Sequence, residues 1–486
     1  MRHMEKTPLT RHLAAALLTL GLAAAGAGPA AAASVASAAG PTPEAIDAYL
    51  VDLHEASGVP GLSAVVTHGD RVVHAAGYGH DSTGAPVTAQ TPMRIASVSK
   101  SFTAMAVLVL AEDGAIDLDA PVTRQLPELE LADPRVDEIT VRQLLDQTSG
   151  FSDTTVDVAD LAEATSRTDY VARLHDDALA TDPGTAYHYC NVNFDVAARL
   201  VEVASGQPFG DFLAERVLQP LGMTGTATRD DVVRPADGYT SLFGAWVPRQ
   251  EPAWFDDTGS AGVITTADDL GRWLIAQTGN GPRLVAPATL DAAHTPSAVG
   301  PYGLGWHTED DGTAWHSGFV MTYRAVEWID PATGYGIAVM TNGAGLTDVT
   351  RTALDGLVAL TRGETPDAAD GTRTADLVLG ALLLASAALG VVGVRRAPRW
   401  ATRQAGRARW RTGLRLAWLL LPALLLAYLP ALAGALSGGR TFPWSSLAYF
   451  ALPVVLTLLV AALAGLGVLG VRIGHLARRR PVGSPT

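Results

Sequence analysis

Residues 94–112 read RIASVSKSFTAMAVLVLAE, and this stretch decides the fold. From Ser97 to Glu112 the pattern predicts a helix, in which residues three apart lie on one face. Ser97 and Lys100 therefore lie side by side in the first turn of that helix. The unpaired N–H groups at a helix N-terminus favour a negative charge that develops on the serine oxygen. The stretch predicts a nucleophilic serine with an amine beside it.

Lysine is almost absent from this chain. Lys6 and Lys100 are the only two, and every other strongly basic residue is arginine. A general bias toward arginine could leave Lys100 by chance. However, an arginine does not lose its proton in a protein, whereas a lysine amine can. We therefore interpret Lys100 as the base that activates Ser97.

Two further motifs follow Ser97-x-x-Lys100: Tyr189-Cys190-Asn191, just after Pro183-Gly184, and His316-Ser317-Gly318. Together they resemble the motifs of the serine β-lactamase and penicillin-binding-protein superfamily, in its class C β-lactamase, DD-carboxypeptidase and esterase-like branch. Flanking stretches match as well: ITVRQLLDQTSGF (139–151), AGVITTADDLGRWL (261–274) and YGLGW (302–306). The resemblance covers roughly residues 45–345.

The resemblance implies an acyl-enzyme mechanism on amide or ester substrates. Ser97 attacks a carbonyl, and Lys100 and Tyr189 share the proton transfers. The N–H groups of Ser97 and Phe319 would form the oxyanion hole. The predicted substrate-binding residues are Asn191, His316, Ser317, Gly318 and Phe319. Gly318 is expected where the substrate backbone approaches closely.

The chain departs from the superfamily pattern at two positions. Cys190 replaces the serine of the second motif and is interpreted as a small, inert, buried residue. His316 replaces the lysine of the third motif, and an imidazole binds a substrate carboxylate less firmly than an ammonium does. His316 could also be a strand histidine that is hydrogen-bonded to a neighbour.

The arrangement of elements predicts an α+β fold. A helix is expected after Thr42-Pro43, with hairpins at 62–76 and 323–341 and mostly helices between them. An antiparallel sheet built from both ends of the domain and flanked by helices, with a helical subdomain, would follow. Three transmembrane helices are expected after this domain.

Both ends of the chain carry membrane-targeting signals. Residues 1–38 are predicted to be a signal peptide, with an uncleaved anchor helix as the alternative. The hydrolase domain is assigned to 39–361, a linker to 362–376 and a three-helix anchor to 377–486. The predicted spans are Leu377–Val394, Leu416–Leu436 and Leu447–Val471.

Charge is distributed very unevenly along the chain. Residues 41–376 have a net charge of −29, whereas residues 377–486 have +13 and no acidic residue. The arginines cluster in the first inter-span loop and after the third span, which places both in the cytoplasm and the catalytic domain outside the cell. The acidic domain argues against a nucleic-acid partner. The expected partners are a small-molecule or peptide substrate and, through the last helices, membrane lipid.

No metal or nucleotide motif occurs in the sequence, so no cofactor is expected. The function predicted is a membrane-anchored, extracytoplasmic serine hydrolase that acts on D-amino-acid peptides or small esters. The alternatives are a β-lactamase, a penicillin-binding sensor without turnover, and a catalytically dead binding module. A sensor would need a cytoplasmic output domain, and a dead module would not need Ser97, Lys100 and Tyr189.

Overall fold

The computed structural model describes residues 40–252, 257–367, 373–404, 407–437 and 440–478. The predicted signal peptide, 1–38, lies outside the described residues. The strands, in chain order, are β1 Gly61–His68, β2 Arg71–Gly79, β3 Met93–Arg94, β4 Gly238–Leu242, β5 Ala245–Arg249, β6 Ile264–Thr265, β7 His307–Thr308, β8 Ala314–Phe319, β9 Arg324–Asp330, β10 Tyr335–Thr341 and β11 Gly343–Ala344.

Six of these strands form one antiparallel sheet in the order β2-β1-β10-β9-β8-β7. Both predicted hairpins are confirmed: β1 pairs with β2, and β9 pairs with β10. The sheet closes where β1 pairs with β10, from Leu62 opposite Thr341 to His68 opposite Tyr335. The predicted α+β sheet, built from both ends of the domain, is therefore correct.

Helices cover the sheet and fill the sequence between its two halves. Those before residue 362 are α1 Pro43–Ser57, α2 Ser99–Glu112, α3 Val122–Gln125, α4 Val141–Leu145, α5 Val158–Leu161, α6 Arg167–Ala172, α7 Val192–Ser205, α8 Phe209–Leu213, α9 Gln219–Leu221, α10 Ala267–Gln277, α11 Pro287–Ala293 and α12 Val349–Thr361. Shorter 3₁₀ turns span Ala96–Val98, Pro134–Glu138 and Arg173–Asp176, and a π-helical turn spans Ala214–Leu218.

The two faces of the sheet bury separate apolar cores. Alternate residues of β1, such as Leu62 and Val66, pack with α1 and α12 on one face. The other face carries Val65 and packs against a larger core that includes α2, α7 and α10. Helix α2 is buried along nearly its whole length, so its first turn is held rigidly against the sheet. This packing fixes where Ser97 and Lys100 lie.

A second, three-stranded sheet has the order β11-β4-β5, and its strands β4 and β5 lie in the region that the sequence predicted as mostly helical. The β4–β5 hairpin turns at Phe243 and Gly244, both with positive φ. Strand β11 pairs with β4 in parallel. The sequence of β4, GYTSL, is short and mixed in polarity, so it carries little periodic signal.

The C-terminal part is helical: α13 Arg373–Arg395, α14 Ala397–Gln404, α15 Arg409–Ala417, a 3₁₀ turn Trp418–Leu420, α16 Leu421–Ala427, α17 Leu429–Leu436, α18 Trp444–Phe450 and α19 Leu452–Ala477. Within the described residues, three stretches are long and apolar enough to cross a membrane: Arg373–Arg395, Arg409–Ala427 and Leu452–Ala477. They suggest membrane association.

The bounds of these stretches differ from the predicted spans. Helix α13 begins at Arg373, inside the predicted linker. New helices begin beside Pro422, Pro430 and Pro453, because proline cannot donate the N–H that would continue a preceding helix. The third candidate span therefore starts at Leu452 rather than Leu447.

Candidate active site

The turn that carries Ser97 is strained. Ala96 has a φ of +50°, which a side chain adopts rarely. Ser97 lies in the 3₁₀ turn Ala96–Val98, and the α-helix proper begins at Ser99, two residues later than predicted. The sharp turn between β3 and α2 leaves Ser97 partly exposed, while its neighbours Ala96 and Val98 are buried. Strain of this kind persists where the surrounding structure fixes it, and it clusters at functional sites.

Lys100 lies beside Ser97, as predicted. Its Nζ is 3.1 Å from Ser97 Oγ, 2.9 Å from Asn191 Oδ1 and 2.9 Å from the backbone oxygen of Ser260. The side chain is completely buried. Two of the three contacts are to oxygens that can only accept, so they hold two N–H groups of the amine. The third position of the nitrogen faces the serine hydroxyl, which can donate or accept a hydrogen bond.

The segment 259–263 forms the floor beneath the amine and is tied to α2. Ser99 Oγ accepts from the N–H of Val263 at 2.9 Å, and Thr103 Oγ1 donates to the Gly259 carbonyl at 2.6 Å. The N–H of Ser260 donates to buried Asp195 at 3.0 Å. Burial raises the pKa of Asp195, and the charge of Lys100 is among the influences that oppose this rise. These contacts fix the position of the Ser260 carbonyl, which accepts a hydrogen bond from the Lys100 amine.

Tyr189 lies next to the amine, in the loop before α7. Lys100 Nζ is 5.0 Å from the centroid of its ring. The ring stacks nearly parallel to His307, at 6.0 Å and 8°, and meets Tyr302 edge-on at 6.2 Å. Ser97, Lys100, Tyr189 and Asn191 therefore come together, as the sequence predicted. Their catalytic and binding roles stay predictions.

Gln147 holds the Tyr189 loop in place. This buried residue has a φ of +63°. Its side-chain oxygen accepts from the N–H of Cys190 at 2.9 Å and from Asn193 Nδ2 at 2.6 Å. Its backbone oxygen accepts from the N–H of His188 at 2.9 Å. Gln147 was not singled out from the sequence, although it lies in the quoted stretch 139–151. Its physical role is to form a left-handed turn whose hydrogen bonds hold the loop that carries Tyr189.

Cys190 is fully buried and free. Burial raises the pKa of its thiol, which keeps the sulfur protonated and unreactive at neutral pH. This agrees with its interpretation as an inert filler.

His316 faces the interior and is only 1% exposed. Its Nδ1 is 2.8 Å from the Ser317 carbonyl, which can only accept, so Nδ1 carries the proton. Its Nε2 then accepts from the Tyr302 hydroxyl at 2.9 Å. Burial, together with His307 and Lys100, lowers the pKa of His316 well below 6.5, so the ring is neutral. Both nitrogens are thus occupied, as in the hydrogen-bonded alternative. A direct substrate contact by His316 stays a prediction.

Strand β8 carries the other predicted residues. Ser317 is exposed and Phe319 is partly exposed, whereas Gly318 is buried. A Cβ on Gly318 would lie 1.9 Å from the Ile95 carbonyl oxygen. The close approach that requires this glycine is therefore made by the turn that carries Ser97. A substrate backbone was expected to approach Gly318. The close contact with Ile95 is an additional reason for a glycine at this position.

Tyr302 and Gly305 have structural roles in the stretch 302–306, which was quoted above for its resemblance to the superfamily. Tyr302 donates to His316, and burial raises the pKa of its phenol well above 10, so the hydroxyl keeps its proton. Gly305 has a φ of +88°, and a Cβ there would lie 2.9 Å from the Lys100 carbonyl oxygen. The stretch therefore crosses directly over the first turn of α2. Its role is positional, which the motif alone did not reveal.

Acidification should destabilise the chain partly through His307. Burial, followed by the charge of Lys100, lowers the pKa of His307 from 6.5 to about 4. Between these two pKa values the unfolded chain binds a proton that the folded chain does not. The full contribution of His307 to the free energy of unfolding is therefore present above about pH 6.5, and it is lost as the pH falls and the His307 of the unfolded chain becomes protonated. We expect the free energy of unfolding to fall more steeply than in His307→Gln, by up to about 1.4 kcal/mol per pH unit. Denaturant titrations of both proteins in detergent, from pH 7.5 to 4.5, measure the difference. Parallel curves would contradict it.

Comparisons with known proteins give a matching family model and related folds. The family model described as Beta-lactamase matches residues 46–360. Protein flp of Staphylococcus aureus (strain MW2) is 28% identical over 298 residues, which cover 58% of this chain and 60% of that protein. This chain thus aligns with about three fifths of the length of that relative.

Two solved structures share the fold. The octameric penicillin-binding protein homologue from Pyrococcus abyssi superposes with a TM-score of 0.59 at 23% identity, covering 70% of this chain and 80% of that one. A class C β-lactamase superposes with a TM-score of 0.54 at 21% identity, covering 65% and 93%. At these identities the likeness establishes the fold and leaves the substrate open.

Proposed function

Since the chain belongs to the β-lactamase family of serine hydrolases, we propose that it cleaves an amide or ester substrate through an acyl-enzyme on Ser97. One observation carries this proposal: a completely buried amine, Lys100, is within hydrogen-bonding distance of a partly exposed hydroxyl, Ser97. Asn191 and the Ser260 carbonyl orient that amine. This is the arrangement of an activated nucleophile and its oriented base.

In the first half-reaction, Ser97 Oγ bonds to the substrate carbonyl carbon and its proton passes to the Lys100 amine, which acts as the base. The carbonyl oxygen becomes an oxyanion, for which the N–H groups of Ser97 and Phe319 are the proposed donors. The bond from carbon to the leaving nitrogen or oxygen then breaks. Tyr189, next to the amine, relays the proton to the leaving group.

In the second half-reaction, water attacks the ester on Ser97. One water proton passes to the Lys100 and Tyr189 pair, and a proton returns to Ser97 Oγ as the acid is released. No net change remains in the enzyme. The floor formed by residues 259–263 keeps the amine in one place through both halves.

The neutral state of His316 bears on the substrate. A lysine at this place in the superfamily would offer a charge to a substrate carboxylate, whereas His316 is neutral with both nitrogens occupied. This favours small esters and amides without a carboxylate over β-lactams and peptides that end in a free D-amino acid, since both of these carry a carboxylate. Turnover of nitrocefin at a rate typical of resistance enzymes would instead favour the β-lactamase alternative.

Covalent labelling tests the proposal. The full chain in detergent should react with a fluorophosphonate at Ser97, and Ser97→Ala should not, because the nucleophile is gone. Peptide mass spectrometry locates the adduct, and Ser82→Ala, a partly exposed serine between β2 and β3, is the matched control that should still be labelled. A panel of D-Ala-D-Ala peptides, short esters and nitrocefin follows. An unlabelled wild type, or an adduct on another residue, would contradict an acyl-enzyme on Ser97.

A further inference from the structure

The segment that joins the second and third candidate spans touches the catalytic site. We call residues 440–450 the inter-span segment; it contains Arg440 and helix α18. The guanidinium of Arg440 lies over the ring of Tyr189, 5.0 Å from its centroid. The proposed catalytic tyrosine therefore has Lys100 and an arginine from the membrane region within 5.0 Å of its ring centroid.

The first part of the inter-span segment is fixed to the catalytic domain through Asp153. Arg440 Nε pairs with Asp153 Oδ2 at 2.7 Å, where the carboxylate is only 7% exposed. Thr441 Oγ1 donates to the Asp153 backbone oxygen at 3.0 Å. A charge pair that is largely shielded from water holds its geometry better than a surface pair. Asp153 lies in the loop between α4 and α5, which also contains Gln147.

The last part of the inter-span segment contacts strand β8. The ring of Phe450 meets the ring of Phe319 edge-on, at 5.1 Å and 88°. Phe442 lies 5.7 Å from Phe450, which extends the apolar surface. Phe319 is the residue whose N–H is the proposed oxyanion donor. The rings of Phe319, Phe450 and Phe442 therefore form one aromatic group at the residue of the proposed oxyanion donor.

A third attachment comes from the β4–β5 hairpin. Arg249 Nη1 donates to the Ala448 carbonyl at 2.9 Å, and its guanidinium lies 3.6 Å from the ring centroid of Tyr449. The inter-span segment is thus held at Tyr189, at Phe319 and at Arg249. Only Ala451 separates Phe450 from α19, the third candidate span. With α19 in a bilayer, this contact would place the proposed site close to the bilayer surface.

We propose that the inter-span segment forms one wall of the substrate pocket, and that the substrate is a membrane-resident amphiphile whose ester or amide reaches Ser97 from the bilayer. This deepens the proposed function and rests on it. Phe450, Phe442 and Phe319 would line the path of an apolar chain, and Arg440 would lie near a polar or anionic head group. A soluble substrate that is too short to reach Phe450 would make no contact with this wall, so its hydrolysis should not depend on Phe450.

The test compares two esters on the full chain reconstituted in phosphatidylcholine vesicles. One is 4-nitrophenyl laurate, which resides in the bilayer, and the other is 4-nitrophenyl acetate, which resides in water. In Phe450→Ala, kcat/KM for the laurate should fall about tenfold while that for the acetate stays within about twofold. Phe450→Leu should restore part of the laurate activity. Tyr428→Ala, an exposed aromatic directly after the second candidate span, is the matched control and should change neither.

A second measurement needs no variant. Diluting the laurate about tenfold with more phosphatidylcholine, at constant bulk concentration, should lower the wild-type rate by about as much if the ester is taken from the bilayer. An unchanged rate would overturn the proposal, as would an equal fall for both esters in Phe450→Ala. Fluorophosphonate labelling of Ser97 is measured in parallel. Failed labelling of the wild type counts against the proposed function, whereas intact labelling without chain-length selectivity counts only against the wall.

Discussion

Replacing Lys100 with arginine should lower kcat/KM for ester hydrolysis by about 10³-fold or more, because a guanidinium does not accept the proton of Ser97. The amine has three oxygen neighbours within 3.1 Å, and Ser97 Oγ is the only one of them that can donate a proton to it. Steady-state kinetics with a short 4-nitrophenyl ester, together with the rate of fluorophosphonate labelling, measure the loss. Undiminished turnover would remove the proposed mechanism.

Two controls separate lost chemistry from lost structure. Lys100 is completely buried, so the arginine must be accommodated in a tight space, and the thermal unfolding midpoint is recorded alongside the rates. In Lys100→Ala, added methylamine should restore part of the activity, with a rescue that grows as the pH rises and more amine is neutral. Arg362→Lys, on the exposed surface, is the matched control for an exchange between the two basic residues. It should leave the rates unchanged.

The sequence predicted the fold well where patterns are local. The hairpin of β1 and β2 shows in its β-branched strands around His68-Gly69-Asp70, and α2 shows in its apolar run. Pairing of β1 with β10 joins residues almost 270 positions apart, and only the presence of strands at both ends suggested it. The β4–β5 hairpin was missed because its short strands alternate weakly.

The candidate site was predicted in its residue types but not in its supports. Ser97 and Lys100 follow from a helical spacing, since neighbours three apart share a face. Gln147 and Tyr302 hold Tyr189 and His316 through hydrogen bonds between distant segments. Such contacts depend on the path of the chain and leave no periodic signal.

The contacts between residues 440–450 and the catalytic domain were not predicted, for the same reason. The sequence interpretation treated residues 377–486 as a plain anchor, since no ionisable residue lies within the predicted spans. Arg440 lies between the second and third predicted spans, and its contact with Tyr189 crosses about 250 positions of sequence. Hydropathy identifies the helices but carries no information on which loop meets the catalytic domain.

The second large effect is expected for Gly318→Ala. An added Cβ would lie 1.9 Å from the Ile95 carbonyl oxygen and 3.1 Å from Ala96 Cβ, so β8 and the turn before Ser97 must move apart. These two elements carry the proposed oxyanion donors, the N–H groups of Phe319 and Ser97. Losing one donor of this kind typically costs about 10²–10³-fold in kcat, and we expect a fall of that size. Kinetics with a short ester measure it.

Gly318→Ala should remain folded, so that its loss of rate can be measured. Overpacking by one methyl group usually costs about 1–3 kcal/mol, and a chain that remains folded can still be labelled at Ser97, although slowly. Gly413→Ala, in helix α15, is the matched control, because an added Cβ there meets no atom within 4 Å. Wild-type kcat in Gly318→Ala would mean that β8 and the Ser97 turn can separate without cost to the reaction. The oxyanion donors would then have to be sought elsewhere than across this contact.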